Sequence, residues 1–342
     1  MKRRQFIAWS MVAGSLPALP VTAGSKVGRL KPVRLRPGDK VAILALATVA
    51  YEQLEVRLAV ETLEAMGLKA QPGRHVLERF GYFAGRDQQR AEDFNKAVHD
   101  PSIKAIFCLR GGWGSSRLLP LLDYEALAAN PKILLGYSDI TSLLNAVHAK
   151  TGLITFHGPN VWSEWNEFTL ESMRGLLFEA RAMRYVNPRE AGDDLIAKQN
   201  RTQTIVPGTA RGELIGGNLS LVCGLLGTPY LPSFEHKILF LEDVGEAVYR
   251  VDRLLTQLRL SGEMKKLSGI VFGQFSRIVP KRGLGDFSLM DVLRQHFEPL
   301  GLPCYYGAMF GHISQNSTLP IGIPASMDAS RGELELLEPA VL

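Results

Sequence analysis

The chain has 342 residues, 46% hydrophobic and 21% charged, the balance of a soluble globular protein long enough for two packed cores. Lys and Arg outnumber Asp and Glu by 39 to 34. The basic residues are scattered rather than gathered into a stripe with interleaved aromatics, so nucleic acid is not an expected partner, while an anionic ligand suits the mild positive balance. Cys108, Cys223 and Cys304 are odd in number, far apart and set among apolar neighbours, which reads as buried thiols rather than a disulfide framework or a metal or redox pair.

The first residues read as a targeting segment. Lys2, Arg3 and Arg4 precede an apolar stretch at 6–19, and Val21-Thr22-Ala23 before Gly24 has the small-x-small form of a cleavage site. A signal peptide over 1–23 is expected, and Arg3-Arg4-Gln5-Phe6-Ile7 resembles a twin-arginine export signal. Pro17 and Pro20 break the stretch, so no stable membrane insertion is expected after cleavage. The expected location is the periplasm, with the cytoplasm as the alternative if the segment is not used.

Strands and helices then alternate. Residues 41–46 form a short apolar run, and Val56, Ala59, Val60 and Leu63 recur at helical spacing before Gly67. Residues 87–98 read as an amphipathic helix, 105–109 as a strand, 118–122 as the middle of a short helix, and 133–135 as a strand. A helix over 140–150 and a strand near 153–156 complete a Rossmann-like domain at 30–165, a parallel sheet covered on both faces. Residues 166–206 lose this rhythm and read as a linker region. Beyond them, 237–241, 269–272, 318–321 and 334–337 read as strands, and Val251, Leu254, Leu255 and Leu258 share a helix face. The fold class is therefore α/β, with a Rossmann-like parallel-sheet N-terminal domain and a β-rich C-terminal domain with helical cover at 207–342.

Chemistry-bearing residues sit at the strand ends. Ser138, in Leu135-Gly136-Tyr137-Ser138-Asp139-Ile140, lies where a strand meets a helix, the geometry that lifts a nucleophilic hydroxyl above the sheet edge; the same position would also suit a helix cap. Arg110-Gly111-Gly112-Trp113-Gly114-Ser115-Ser116 lies at another such junction. Its glycines let backbone amides approach an oxyanion, and Ser115 and Ser116 are rival nucleophiles or caps. The spacing fits neither a dinucleotide nor a Walker loop. His312, in Gly311-His312-Ile313-Ser314-Gln315-Asn316, is the first candidate for the base, and His157 the second. Glu242 and Asp243 follow a fully apolar strand, where a carboxylate must be paired: a histidine is one partner, Arg250 or Arg253 another. No zinc motif appears, so no metal is expected.

Taken together the motifs resemble the L,D-carboxypeptidase family of serine peptidases. They are R-G-G-W-G at 110–114, G-Y-S-D-I-T at 136–141, H-G-P at 157–159, I-G-G-N-L-S-L at 215–221, G-T-P-Y at 227–230, L-E-D-V-G-E at 241–246, Y-R-V-D-R-L-L at 249–255 and G-H-x-x-Q-N at 311–316. The resemblance covers about 36–340. It implies a triad of Ser138, Glu242 and His312 at a domain interface. The oxyanion would rest on the amides of Asp139, Gly111 and Gly112, and Arg110, Trp113, His157 and Asn218 would contact substrate. It implies no cofactor, peptidoglycan-derived peptides as the partner, and allows a homodimer. Two departures stand out: Leu46-Ala47-Thr48 where the family usually has alanine-proline-serine, and Trp113 in place of a tyrosine. The rival readings are a related hydrolase of peptide-nucleotide antibiotics, for which Trp162 and Trp165 would stack on the base, and a non-catalytic exported muropeptide-binding protein.

Overall fold

The computed structural model describes residues 28–188, 195–278 and 286–342, so the expected signal segment lies outside the described residues. The chain runs β1 (Lys40–Leu44), α1 (Gln53–Ala65), β2 (Lys69–Pro72), α2 (Asp87–His99), β3 (Ile103–Cys108), α3 (Tyr124–Ala129), β4 (Ile133–Gly136), α4 (Thr141–Thr151), β5 (Thr155–His157) and α5 (Glu167–Leu177). It continues through β6 (Arg184–Tyr185), β7 (Gln203–Val206), β8 (Thr209–Asn218), α6 (Leu219–Gly224), β9 (Lys237–Glu242), α7 (Val248–Leu260) and β10 (Gly269–Gln274). It ends with α8 (Leu289–Phe297), β11 (Cys304–Gly311), β12 (Leu319–Ile321), β13 (Pro324–Asp328) and β14 (Glu333–Leu336).

The first sheet has the order β12-β5-β4-β3-β1-β2, and its strands β1 to β5 are parallel. Every residue of β4 is buried, because helices cover both faces and leave no wet side for polar alternation. Edge strand β2 alternates exposed and half-buried residues instead. Chain order reverses between β1 and β3, so the loops leaving their carboxyl ends diverge and open a crevice, the usual ligand position in such sheets. Residues 45–50 and 109–114 rim it, and Ser138 follows β4, the next strand along.

The second sheet has the order β6-β14-β13-β8-β9-β10-β11-β7. Its middle, β8 to β11, is parallel, and the flanking strands are antiparallel. Helix α7 buries Val251, Leu255 and Leu258, and α8 buries Val292, Leu293 and Phe297. The α/β expectation therefore holds, and one continuous apolar core joins the two sheets.

Three expectations need correction. The stretch 166–206, read as a linker region, carries α5, β6 and β7; Asn166 caps α5 by accepting from the Thr169 amide at 3.0 Å, while Met173, Leu176 and Leu177 are buried. Strand β12, assigned to the C-terminal domain, pairs antiparallel with β5 and closes the first sheet. The helix expected around 118–122 is a 3-10 turn, Ser115–Leu121, because Pro120 has no amide hydrogen to continue an α-helix.

Candidate active site

Ser138 is a non-glycine residue with a φ of 63°, in the left-handed region that a β-carbon disfavours by about 1–2 kcal/mol. Its neighbours sustain that strain. Asp139 turns away from the crevice: its Oδ2 accepts the Ser115 amide at 2.7 Å, and its carbonyl accepts the Ser115 hydroxyl at 2.5 Å. Burial pushes the Asp139 carboxyl up, and the Ser115 amide opposes that push. These bonds tie the serine turn to the glycine-rich loop. They also remove the rival nucleophiles, since Ser115 is fully buried and Ser116 is bonded to Ser142 at 3.0 Å.

The glycine-rich loop comes as close to Ser138 as a backbone can. A β-carbon on Gly111 would stand 2.8 Å from Ser138 Cβ and 3.1 Å from its Oγ. At Gly112, with φ of 116°, a β-carbon would fall 1.8 Å from Thr48 Oγ1. Thr48 Oγ1 also accepts the Trp113 amide at 3.2 Å, so the threonine that departs from the family pattern keeps the loop in place through its hydroxyl. The amides of Gly111, Gly112 and Asp139 donate to no described residue, as an anion-binding set requires. Buried Arg90, which sequence reasoning missed, supports the loop by donating to the carbonyls of Leu46 at 2.8 Å and Gly114 at 3.1 Å. Its position on the buried face of an otherwise charged helix was the available signal.

Glu242 ends β9 fully buried, and its Oε2 accepts from His312 Nδ1 at 2.7 Å. Burial acts to raise the Glu242 pKa, but the His312 and His157 imidazoles outweigh it and hold the carboxyl at about 2. Neither Arg250 nor Arg253 takes this carboxylate: Arg250 lies 3.7 Å from Glu246. Asp243 serves elsewhere, accepting from Asn218 Nδ2, the Ser220 amide and hydroxyl, and the Val244 amide. Gly311 precedes the histidine with φ of 114°, and a β-carbon there would meet Glu242 Oε2 at 2.8 Å. The His312 ring lies 4.8 Å, centroid to centroid, from Tyr137, the residue before Ser138. The structure thus brings Glu242 at the end of β9 and His312 in the loop after β11 together, beside the turn that follows β4 and carries Ser138.

The loop carrying His312 hangs on α5. Asn166 Nδ2 donates to the Ser314 carbonyl at 2.8 Å, Thr169 Oγ1 donates to the same carbonyl at 3.1 Å, and Thr169 Oγ1 accepts the Asn316 amide at 3.0 Å. Sequence reasoning missed both residues. Leu170, Met173, Leu176 and Leu177 at helical spacing behind an asparagine cap were the signal.

The expected substrate contacts fare less well. Arg110 is already matched, by Glu55 at 2.9 Å and by the Tyr51 ring at 5.0 Å. Asn218 is buried and caps α6 while donating to Asp243, so it does not line the crevice. His157 has no exposed surface and sits behind Glu242, with its Nε2 3.8 Å from Glu242 Oε1. Trp113 alone is open to solvent, at 62%, against the edge of Tyr82. A cavity of about 850 Å³ lies beside the His312 loop, lined by residues such as Glu167, Arg184, Ile313 and Gln315. Ser138, Glu242 and His312 do not line it.

A strained serine at a strand end beside the free amides of a glycine-rich loop suits a serine hydrolase, and the sequence comparisons give the class: a serine-type carboxypeptidase. The LD-carboxypeptidase N-terminal domain profile matches residues 41–158, and the LD-carboxypeptidase C-terminal domain profile matches 211–327. The chain belongs to the LD-carboxypeptidase family, peptidase family S66. It is 36% identical to the murein tetrapeptide carboxypeptidase of Pseudomonas aeruginosa, over 85% of this chain and 94% of that one. It is 34% identical to a probable murein peptide carboxypeptidase of Bacillus subtilis, over 88% and 92%. Among solved structures, MccF in complex with glutamyl sulfamoyl guanosine matches with a TM-score of 0.82 at 29% identity, over 92% of this chain and all of that one.

Proposed function

We propose that this protein is an L,D-carboxypeptidase that removes the terminal D-alanine of murein tetrapeptides, with Ser138 as nucleophile, His312 as base and Glu242 as the acid that orients the base. The observation that carries this reading is the 2.7 Å contact of Glu242 with His312 beside the turn that holds Ser138. The murein carboxypeptidases among the relatives support the substrate.

In the proposed sequence His312 Nε2 takes the proton of Ser138, whose Oγ attacks the carbonyl joining an L-centre to D-alanine. Negative charge on that oxygen is met by the amides of Asp139, Gly111 and Gly112. Collapse passes the proton from His312 to the leaving nitrogen and frees D-alanine. Water then gives a proton to His312, attacks the acyl-serine and restores the hydroxyl. No step calls for a cofactor. The peptide is a peptidoglycan fragment, and the pattern of the first 23 residues supports action in the periplasm.

The test is release of D-alanine from a disaccharide tetrapeptide by wild type, Ser138→Ala and His312→Ala. Release by wild type alone supports the reading; no release by folded wild type sinks this substrate. A second reading, hydrolysis of aminoacyl sulfamoyl nucleotides, is favoured by the likeness to MccF and by Trp162, 41% exposed and bonded through its amide to Leu109 at the end of β3. Cleavage of such a conjugate with no D-alanine release would choose it.

A further inference from the structure

Glu242 has two carboxylate oxygens, and the contact with His312 occupies only Oε2. Oε1 is buried and has no hydrogen-bond partner among the described residues. Facing it at 3.8 Å is Nε2 of His157, an imidazole with no exposed surface whose two ring nitrogens are likewise unpartnered. The ring is boxed by Tyr137, Phe240 and Phe310, at centroid distances of 6.1, 5.4 and 6.5 Å. From β8, a β-carbon on Gly217 would come within 3.1 Å of His157 Cδ2, so the imidazole is held from that side too.

An imidazole buried without hydrogen bonds is an expensive way to fill an aromatic box. A phenylalanine of similar shape would pack there without leaving polar atoms unpaired. What the imidazole adds, when Nε2 carries a proton, is a positive end facing Oε1 at 3.8 Å. We propose that His157 is a positioning residue of the reaction: from behind the site it holds the Glu242 carboxylate through Oε1, leaving Oε2 to orient His312. This rests on the roles proposed above for Glu242 and His312.

The sign of the effect does not depend on the charge of His157. With a proton on Nε2 alone, or on both nitrogens, the ring lowers the affinity of the Glu242–His312 pair for a further proton. The other ionisable groups near the pair act differently. Asp243, next along β9's exit, has its oxygens taken by Asn218, Ser220 and Val244, and it repels Glu242. Tyr137 approaches from the end of β4, with Glu164 and Arg277 around it. None of these reaches Oε1 with a donor.

The experiment follows the His312 ring by NMR across pH in wild type, His157→Phe and His157→Gln, with His312→Ala to assign the signal. Removing the imidazole in His157→Phe raises the midpoint of the His312 titration. His157→Gln keeps an N–H and falls between the two. A folded His157→Phe in which His312 titrates as in wild type overturns the proposal. Should His157→Phe not fold, the wild-type nitrogen shifts of His157 decide: a proton on Nε2 upholds the proposal, and a ring protonated only at Nδ1 overturns it. No substrate enters this measurement, so absent D-alanine release would refute the substrate reading and leave the positioning result standing.

Discussion

Ser138 and His312 follow strands of different sheets, β4 and β11, and they are held by different kinds of structure. The serine is held locally: Asp139 reaches Ser115, 24 positions away, and the glycine-rich loop and the β4–α4 turn do the rest. The histidine is held from afar, by Glu242 at a separation of 70 positions, and its loop is held at Ser314 by Asn166 and Thr169, 148 and 145 positions away. A nucleophile can be built from one strained turn, whereas a base must be aimed by tertiary structure. Changes on the serine side should therefore remove chemistry and spare stability; changes on the histidine side should cost both.

The largest effect belongs to Ser138→Ala. Loss of the proposed nucleophile should lower kcat roughly 10⁴-fold or more, with a thermal midpoint within a few degrees of wild type. Gly111→Ala comes next. Its β-carbon would crowd Ser138 at 2.8 Å from a backbone whose φ an alanine tolerates, so kcat should fall about 100-fold while the protein still folds. Stability lost in equal measure would mean that the serine turn is not held independently of the fold.

Thr169→Val sharpens the histidine side. It removes the donor to the Ser314 carbonyl, a part-buried bond, and the acceptor of the buried Asn316 amide. Urea unfolding should register a loss of about 2 kcal/mol, accompanied by a fall in kcat of about tenfold. Unchanged kcat in a destabilised variant would mean that α5 supports the fold but does not aim the base.

The smallest effect is in acid. The Glu242 carboxyl stands at about 2 in the folded protein against 4.5 for an ordinary glutamate. A depressed carboxyl stabilises the fold fully above its unfolded pKa, and that contribution is lost as pH falls through the folded value. The stability difference between wild type and Glu242→Gln should therefore be constant above about pH 5 and shift against wild type between 4.5 and 2. Glu213, held down to about 2 against its burial by His148 and Lys237, titrates in the same window, which is why the difference and not the wild-type curve is the observable.

The same contrast decides what could be read from the sequence. The elbow at Ser138 was legible because strand, turn and helix follow one another within a few residues. The glycine-rich loop was legible for the same reason. Asn218 was misread because a cap for α6 and a substrate contact use the same side chain in the same kind of motif, and only burial separates them. His157 was misread because its position at a strand end says nothing of the sheet packed over it. Residues 166–206 were misread because the strand–helix rhythm fades there and the polar stretch that follows outweighed the apolar spacing of α5, whose contact with Ser314 and Asn316 spans nearly half the chain.

The most direct test of the account is labelling with a serine-reactive fluorophosphonate, read by mass spectrometry of the intact protein and its peptides. One adduct is expected, on Ser138, forming at least about 100-fold more slowly in His312→Ala and more slowly also in Glu242→Gln. An adduct on another residue, or labelling of Ser138 at the wild-type rate without His312, would contradict it.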